Sequence, residues 1–362
     1  MWWRDGLPHT CNESGNVTNK RWMIGRLMLV AVVGLLAFIS GVWAAFALWY
    51  QLPGGALARA IGSATWSILV IALAACAIRS QGWLPVGIYM LAYALLLLWW
   101  VRIAPSHDRV WADDVGCLLA GQIVGDSVTL VNVRDFTWRT PRDYDVHWET
   151  CRYDLANLVS ADAVLSYWGS PVIAHAMISF GFSNGRHVVF SVEIRKERHQ
   201  QYSPIGGFFK QYETILVAAE ERDIIRVRTN ARGEDVYLYP LRMDRATMRE
   251  LFVSYVNAAN RLIEVPAFYH TITSNCTTLV YRMAKRIGPA LSWDPRLLLT
   301  GYLPGYFYQI GAVDRRVSLD ELRRRSRISE RARNSTASDD FSAVIRSEPD
   351  ASKDKSVHRA RR

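Results

Sequence analysis

The chain has 362 residues, half of them hydrophobic and 21% charged, with 43 Lys and Arg against 33 Asp and Glu, 14 Trp, 16 Tyr and 5 Cys. Aromatic residues make up 12% of it, which excludes a wholly disordered protein because disorder goes with few aromatics; five Cys in this length exclude a disulfide scaffold. The mean hydropathy of +0.02 in so charged a chain places apolar and charged residues in separate stretches.

Three uncharged runs lie near the start, Leu27 to Tyr50, Ala60 to Ile78 and Ser80 to Val101, each near the ~20 residues that a helix needs to cross the hydrocarbon core. The first exceeds the roughly 7–15 apolar residues of a signal peptide, and two more follow at once. Three transmembrane helices are expected within residues 27–103, after a leader at 1–26. Pro53, Gly54 and Gly55 mark the first turn and Arg79 a very short second one. Lys20, Arg21 and Arg26 precede the first span, against the lone Arg59 and Arg79 in the loops. Basic residues stay on the cytoplasmic side, so the N-terminus is expected in the cytoplasm and the rest of the chain in the periplasm of a bacterium, anchored in the inner membrane.

Residues 105–314 read as one α+β domain. Ser127 to Val133, Val188 to Ile194, Ile224 to Arg228 and Val236 to Tyr239 have the β-branched and aromatic composition of strands. Asp244 to Ile263 reads as a helix capped by Asp244, with Met248, Leu251, Phe252, Tyr255, Val256, Ala259 and Leu262 at helical spacing. From 315 to 362 there are 14 Lys and Arg, 8 Asp and Glu and few aromatics, the composition of a disordered basic tail. That tail carries most of the net charge, and no nucleic-acid-binding motif accompanies it. Membrane lipids are the expected partners, and nucleic acid is not.

The chain contains no HExxH, CxxC or Walker loop, so neither a metal nor a cofactor is expected. The chemistry left to consider begins at Thr273 to Ile287. Ser274 or Asn275 can cap a helix with Leu279, Val280, Met283 and Ile287 on its apolar stripe, ended by Gly288 and Pro289. Cys276 then falls in the first turn, where unpaired N–H groups and the helix dipole favour a thiolate. A small buried Cys is the alternative.

A thiolate nucleophile needs a base that a third group orients. Ala174 to Arg195 reads as a β-hairpin with two possible registers. With Ser183, Asn184 and Gly185 as a three-residue loop and Gly185 left-handed, Ala176, Ile178, Phe180 and Phe182 share a face with Val188, Phe190, Val192 and Ile194. The other face then carries His175 directly across from Glu193, the placement of a triad's base and orienting carboxylate. His187, near the turn, and His270, six residues before Cys276, are competing bases.

The stretches DFTWRTPRDYDVHWE, SYWGSPVIAHAMISFGFSNGRHVVFSVEIRKE, YSPIGGFFKQYE, ERDIIRVRTNARGEDVYLYPL and TITSNCTT, between Asp135 and Thr278, resemble the bacterial family named for the periplasmic domain of Lnb. The resemblance implies a lipoprotein N-acyltransferase-like domain related to papain-like and NlpC/P60 cysteine enzymes, in permuted order with His before Cys. On that carry-over Cys276 is the nucleophile and His175 the base, while Glu193 as orienter rests on the hairpin register. Acyl transfer through a thioester on Cys276 follows, from a phospholipid to an amine such as a lipoprotein N-terminus, with the Cys276 N–H and Asn275 as oxyanion donors. Tyr302, Tyr306, Phe307 and Tyr308 belong either at the bilayer surface or in the core. A peptidase or amidase acting on protein or peptidoglycan would use the same triad, and a binding module with a buried Cys276 is the non-enzymatic alternative. Of the Cys residues expected in the oxidising compartment, Cys276 should stay free, with Cys117 and Cys151 available to pair.

Overall fold

The computed structural model describes residues 14–80, 82–287, 291–336 and 338–348, and the chain divides into two compact units at Ala104 and Pro105. The first holds α1 (Ser14–Gln51), α2 (Gly55–Ser80) and α3 (Leu84–Arg102), all three long and apolar enough to cross a membrane. Arg79 lies in the last turn of α2 and not in the connection; α3 starts with Pro85 in its first turn, where a missing N–H costs nothing. Polar groups inside this unit find partners, as hydrocarbon requires: Trp66 Nε1 donates to the Gly41 carbonyl at 3.2 Å and Ser63 Oγ to the Ala45 carbonyl at 2.9 Å.

The second unit is α+β. In chain order it contains β1 (Ala120–Val124), β2 (Ser127–Arg134), β3 (Thr137–Thr140), β4 (Asp143–Asp145), β5 (Trp148–Asp154), β6 (Leu158–Tyr167), β7 (Ala174–Phe182), β8 (His187–Arg195) and β9 (Glu213–Ala219). There follow α4 (Glu221–Arg226), β10 (Asp235–Pro240), α5 (Arg245–Glu264), α6 (Cys276–Ile287), α7 (Leu303–Ile310), α8 (Leu319–Ser326), α9 (Ser329–Asn334) and α10 (Phe341–Arg346). The main sheet runs β1-β2-β9-β8-β7-β6-β10, with β5 paired to β2, while β3 and β4 form a separate ribbon.

The alternation along β6 to β9 sends side chains to two cores. On one face Phe180 and Phe190 pack edge-on, with Phe252 of α5 against both at 5.1 Å and Tyr255 stacked on Phe190 at 4.9 Å. The helical spacing read from the sequence thus forms the packed face of α5, and Asp244 caps it by accepting from the Thr247 N–H. On the other face Val164, Met177, Val189 and Val217 are covered by Ile224 and Ile225 of α4, Ile328 and Ala332 beside and within α9, and Phe341 and Ile345 of α10.

Two expectations are corrected here. Ile224 to Arg228 is helical: α4 passes into a π-helical turn, Val227–Ala231. Neighbouring Ile224 and Ile225 are both buried, which a strand packed on one face cannot achieve, and the tertiary core overrides β propensity. The segment from 315 onward is ordered through the described residues up to 348. Its apolar residues are few but spaced to land on the sheet, and Arg346 Nη2 reaches Asp162 and Glu221 at 2.7 Å each. Composition averages miss such placement. The expected helix end at Gly288 and Pro289 lies outside the described residues.

Candidate active site

The β7–β8 turn takes the three-residue form. Gly185 has φ 83°, a conformation that glycine adopts without strain, and Phe182 N–H donates to the Arg186 carbonyl at 2.9 Å. Phe180 pairs with Val188, Ile178 with Phe190 and Met177 with Ser191. Continued by two residues, this register brings His175 to Glu193, and their Nε2 and Oε1 atoms lie 3.0 Å apart. Ser191 Oγ bridges them, 2.7 Å from each. Ala174, just before His175, is fixed by an N–H bond to Thr300 Oγ1 at 2.7 Å. Gly301 N–H donates to the Val172 carbonyl at 2.8 Å, and a Cβ on Gly301 would lie 2.0 Å from the Pro171 carbonyl oxygen, so only glycine permits this approach.

Cys276 opens α6 and is buried. Asn275 caps the helix: Oδ1 accepts from Thr277 N and Thr278 N at 3.0 and 2.8 Å, and Nδ2 donates to the Thr271 carbonyl at 2.7 Å. Its side chain thus caps the helix start, with one Nδ2 hydrogen committed to the Thr271 carbonyl. The Cys276 N–H has no acceptor among the described residues. Thr277 Oγ1 lies 3.7 Å from the thiol sulfur, and the His175 ring and the Ala176 N–H are the neighbouring groups that favour its thiolate form. With His175 Nε2 taken by Glu193 and Ser191, Nδ1 is the nitrogen left for sulfur.

Electrostatics ties the three together. Burial alone would raise the Cys276 pKa, but the hydrogen bond and charge of His175 outweigh it and hold the thiol below its ordinary value. For His175, burial pulls down, yet the Glu193 charge and Cys276 push it up to about 9. Glu193 resists burial through His175 and Arg228 and sits well below the usual carboxylate range. The arrangement favours a thiolate beside an imidazolium that is backed by a carboxylate.

Sequence reasoning brought together Cys276, His175 and Glu193 but missed two residues. Ser191 shares the His175 face of β8 and was visible there as a hydroxyl two positions from Glu193. Arg228, in the π-helical turn, is buried and reaches Glu193 Oε1 at 3.0 Å and Glu234 Oε2 at 3.3 Å; reading its segment as a strand hid it. The competing histidines serve turns. His187 Nδ1 lies 3.0 Å from the Gly185 carbonyl, and His270 Nδ1 accepts from Ile272 N and Thr273 N. Tyr306 is in the core, with Phe307 and Tyr308 packed against it, whereas Tyr302 is exposed. Cys117 and Cys151 are both free thiols, and Cys151 Sγ accepts from Arg186 Nη2 at 3.2 Å.

Fold and site together define a membrane-anchored α+β domain with a buried Cys–His–carboxylate chain at a helix start. Residues 144–303 match the family model described as the Lnb N-terminal periplasmic domain, and the chain carries a domain of that family. It is therefore a membrane-anchored protein with a periplasmic domain. No curated protein and no solved structure matches the chain.

Proposed function

We propose that the protein is a cysteine acyltransferase of the bacterial inner membrane, its N-terminus cytoplasmic, which moves an acyl chain from a phospholipid to an amine such as a lipoprotein N-terminus. The observation that carries the reading is the position of Cys276 at the start of α6 beside the buried His175–Glu193 pair. The Cys276 thiolate attacks the ester carbonyl, and the Cys276 N–H donates to the oxyanion. His175 gives its proton to the departing lipid oxygen, leaving a thioester on Sγ and a neutral imidazole. An acceptor amine then attacks the thioester, His175 takes the amine proton, and the thiolate returns as the amide leaves. Throughout, Glu193 holds the ring and balances its charge.

The test supplies the purified protein with a diacylated lipoprotein in phospholipid vesicles. Wild type converts it to the triacylated form, and an acyl group accumulates on Cys276 when the acceptor is omitted. A protein that cleaves peptides yet never carries an acyl group would overturn the transferase reading in favour of a peptidase.

A further inference from the structure

The ends of the main sheet differ in what they show to solvent. Cys276 and His175 lie at the end where β6 stops, β7 starts, β8 stops and β9 starts. The connections at this end expose large apolar side chains: Trp168 and Ile173 between β6 and β7, and Tyr202, Ile205 and Phe208 between β8 and β9. Ile272, just before α6, and Tyr302, beside Val172, add to them. Four of the five exposed aromatic side chains of the second unit, among the described residues, are in this group, the fifth being Trp293. At the opposite end the connections carry Asn157, Ser183, Asn184 and Arg242.

These loops are fastened to one another and to the site. Thr271 Oγ1 donates to the Pro204 carbonyl at 3.0 Å, Phe208 packs edge-on against His270 at 5.4 Å, and the Thr271 carbonyl holds the Asn275 cap. The chain also enters the domain here. Ser106 N–H donates to Glu213 Oε1 at 3.2 Å and His107 Nε2 lies 3.1 Å from the Ile263 carbonyl, at the start of β9 and the end of α5. Only Ile103, Ala104 and Pro105 separate Ser106 from the last apolar helix, and three residues reach roughly 10 Å at full extension.

We infer that this apolar rim, centred on Tyr202, Ile205, Phe208 and Ile272, seats the domain on the lipid surface so that the Cys276 site opens at the headgroup level. Aromatic and aliphatic side chains in loops fit the interfacial layer, where amphipathic rings are favoured. An apolar group this extended on a soluble surface calls for a partner, and the short tether keeps a bilayer within reach. The inference deepens the transferase reading by naming the surface that would present lipid, but it needs no chemistry to be true.

Its test uses the full chain carrying Cys276→Ser, reconstituted in vesicles of phosphatidylethanolamine and phosphatidylglycerol that contain a lipid with a photoreactive group in the upper acyl chain. Labelled peptides are mapped by mass spectrometry. The rim predicts labelling of the segments 199–212 and 265–275 in addition to the membrane helices, and none at the turn 183–186. Ile205→Asp with Phe208→Asp should lower rim labelling by at least about tenfold, the loss of two buried apolar side chains, while circular dichroism stays unchanged. Labelling confined to the helices, or equal at both ends of the sheet, would overturn the inference. Because the variant is inactive by design, labelled rims in a protein that proves not to be a transferase would leave this inference standing and sink only the other.

Discussion

Replacing Glu193 by Gln removes a charge while keeping the shape of the side chain. In the native site Oε1 lies 3.0 Å from His175 Nε2 and 3.0 Å from Arg228 Nη2. The rise of the His175 pKa from 6.5 to about 9 corresponds to roughly 3 kcal/mol favouring the imidazolium, at about 1.36 kcal/mol per pKa unit. That stabilisation is complete below pH 6.5 and is lost as pH rises through about 9. Without the carboxylate, burial and the nearby Arg228 both act against the cation, so His175 drops to its ordinary value or below it, and the thiolate loses its counter-charge. Cys276 then returns toward 9.0, where only about 1% of the thiol is ionised at neutral pH. Alkylation of Cys276 by iodoacetamide, followed by peptide-resolved mass spectrometry across neutral and alkaline pH, should be slower in Glu193→Gln than in wild type at neutral pH. Its rate should climb at higher pH than the wild-type rate does. Superimposable profiles would refute the proposed charge coupling.

Cys276→Ser should abolish acyl transfer with insertion and expression intact, and His175→Ala should be comparably severe; His175→Ala behaving as wild type in the transfer assay would displace His175 as base. Removing Arg346 strands Asp162 and Glu221, whose side chains are 4% and 0% exposed. Breaking a buried pair costs about 3–5 kcal/mol, and the partial exposure of Arg346 places Arg346→Ala near the lower figure. The melting temperature by near-UV circular dichroism should fall by roughly 6–12 °C, at about 2–4 °C per kcal/mol, and an unchanged value would deny the ion pairs that role. Alkaline phosphatase fused after residue 348 should be active and a cytoplasmic reporter there silent; the reverse pattern would invert the topology. Thiol mapping of active protein should find Cys276 reduced, and a disulfide at Cys276 would contradict its role as nucleophile.

Much of this site is legible in the sequence because its parts obey local rules. The hairpin register follows from one glycine and eight alternating apolar residues, since a slip by one would bury the polar face. The α6 start follows from Asn275 and the apolar stripe behind it. What could not be read depends on contacts distant in sequence. Ile224 and Ile225 have the composition of a strand, and only the sheet they cover makes them helical. Phe341, Ile345 and Arg346 are sparse in a charged stretch, and their meaning comes from Asp162, Glu221 and the second face of the sheet. Arg228 is doubly hidden, by a misread element and by partners that lie on β8 and just before β10.

The Arg346 clamp also orders events in time. Asp162 and Arg346 are separated by 184 positions, and the sheet face that α10 covers belongs to strands made long before it. A chain made from its N-terminus must therefore hold β6 to β9 with one face only partly covered, by α4, until almost all of the domain has been made. Such late, non-local closure makes folding slow and leaves apolar surface exposed meanwhile. A nascent domain shortened at residue 314 would present that open face permanently, making it a substrate for chaperones and proteases of the envelope before it could act as anything else.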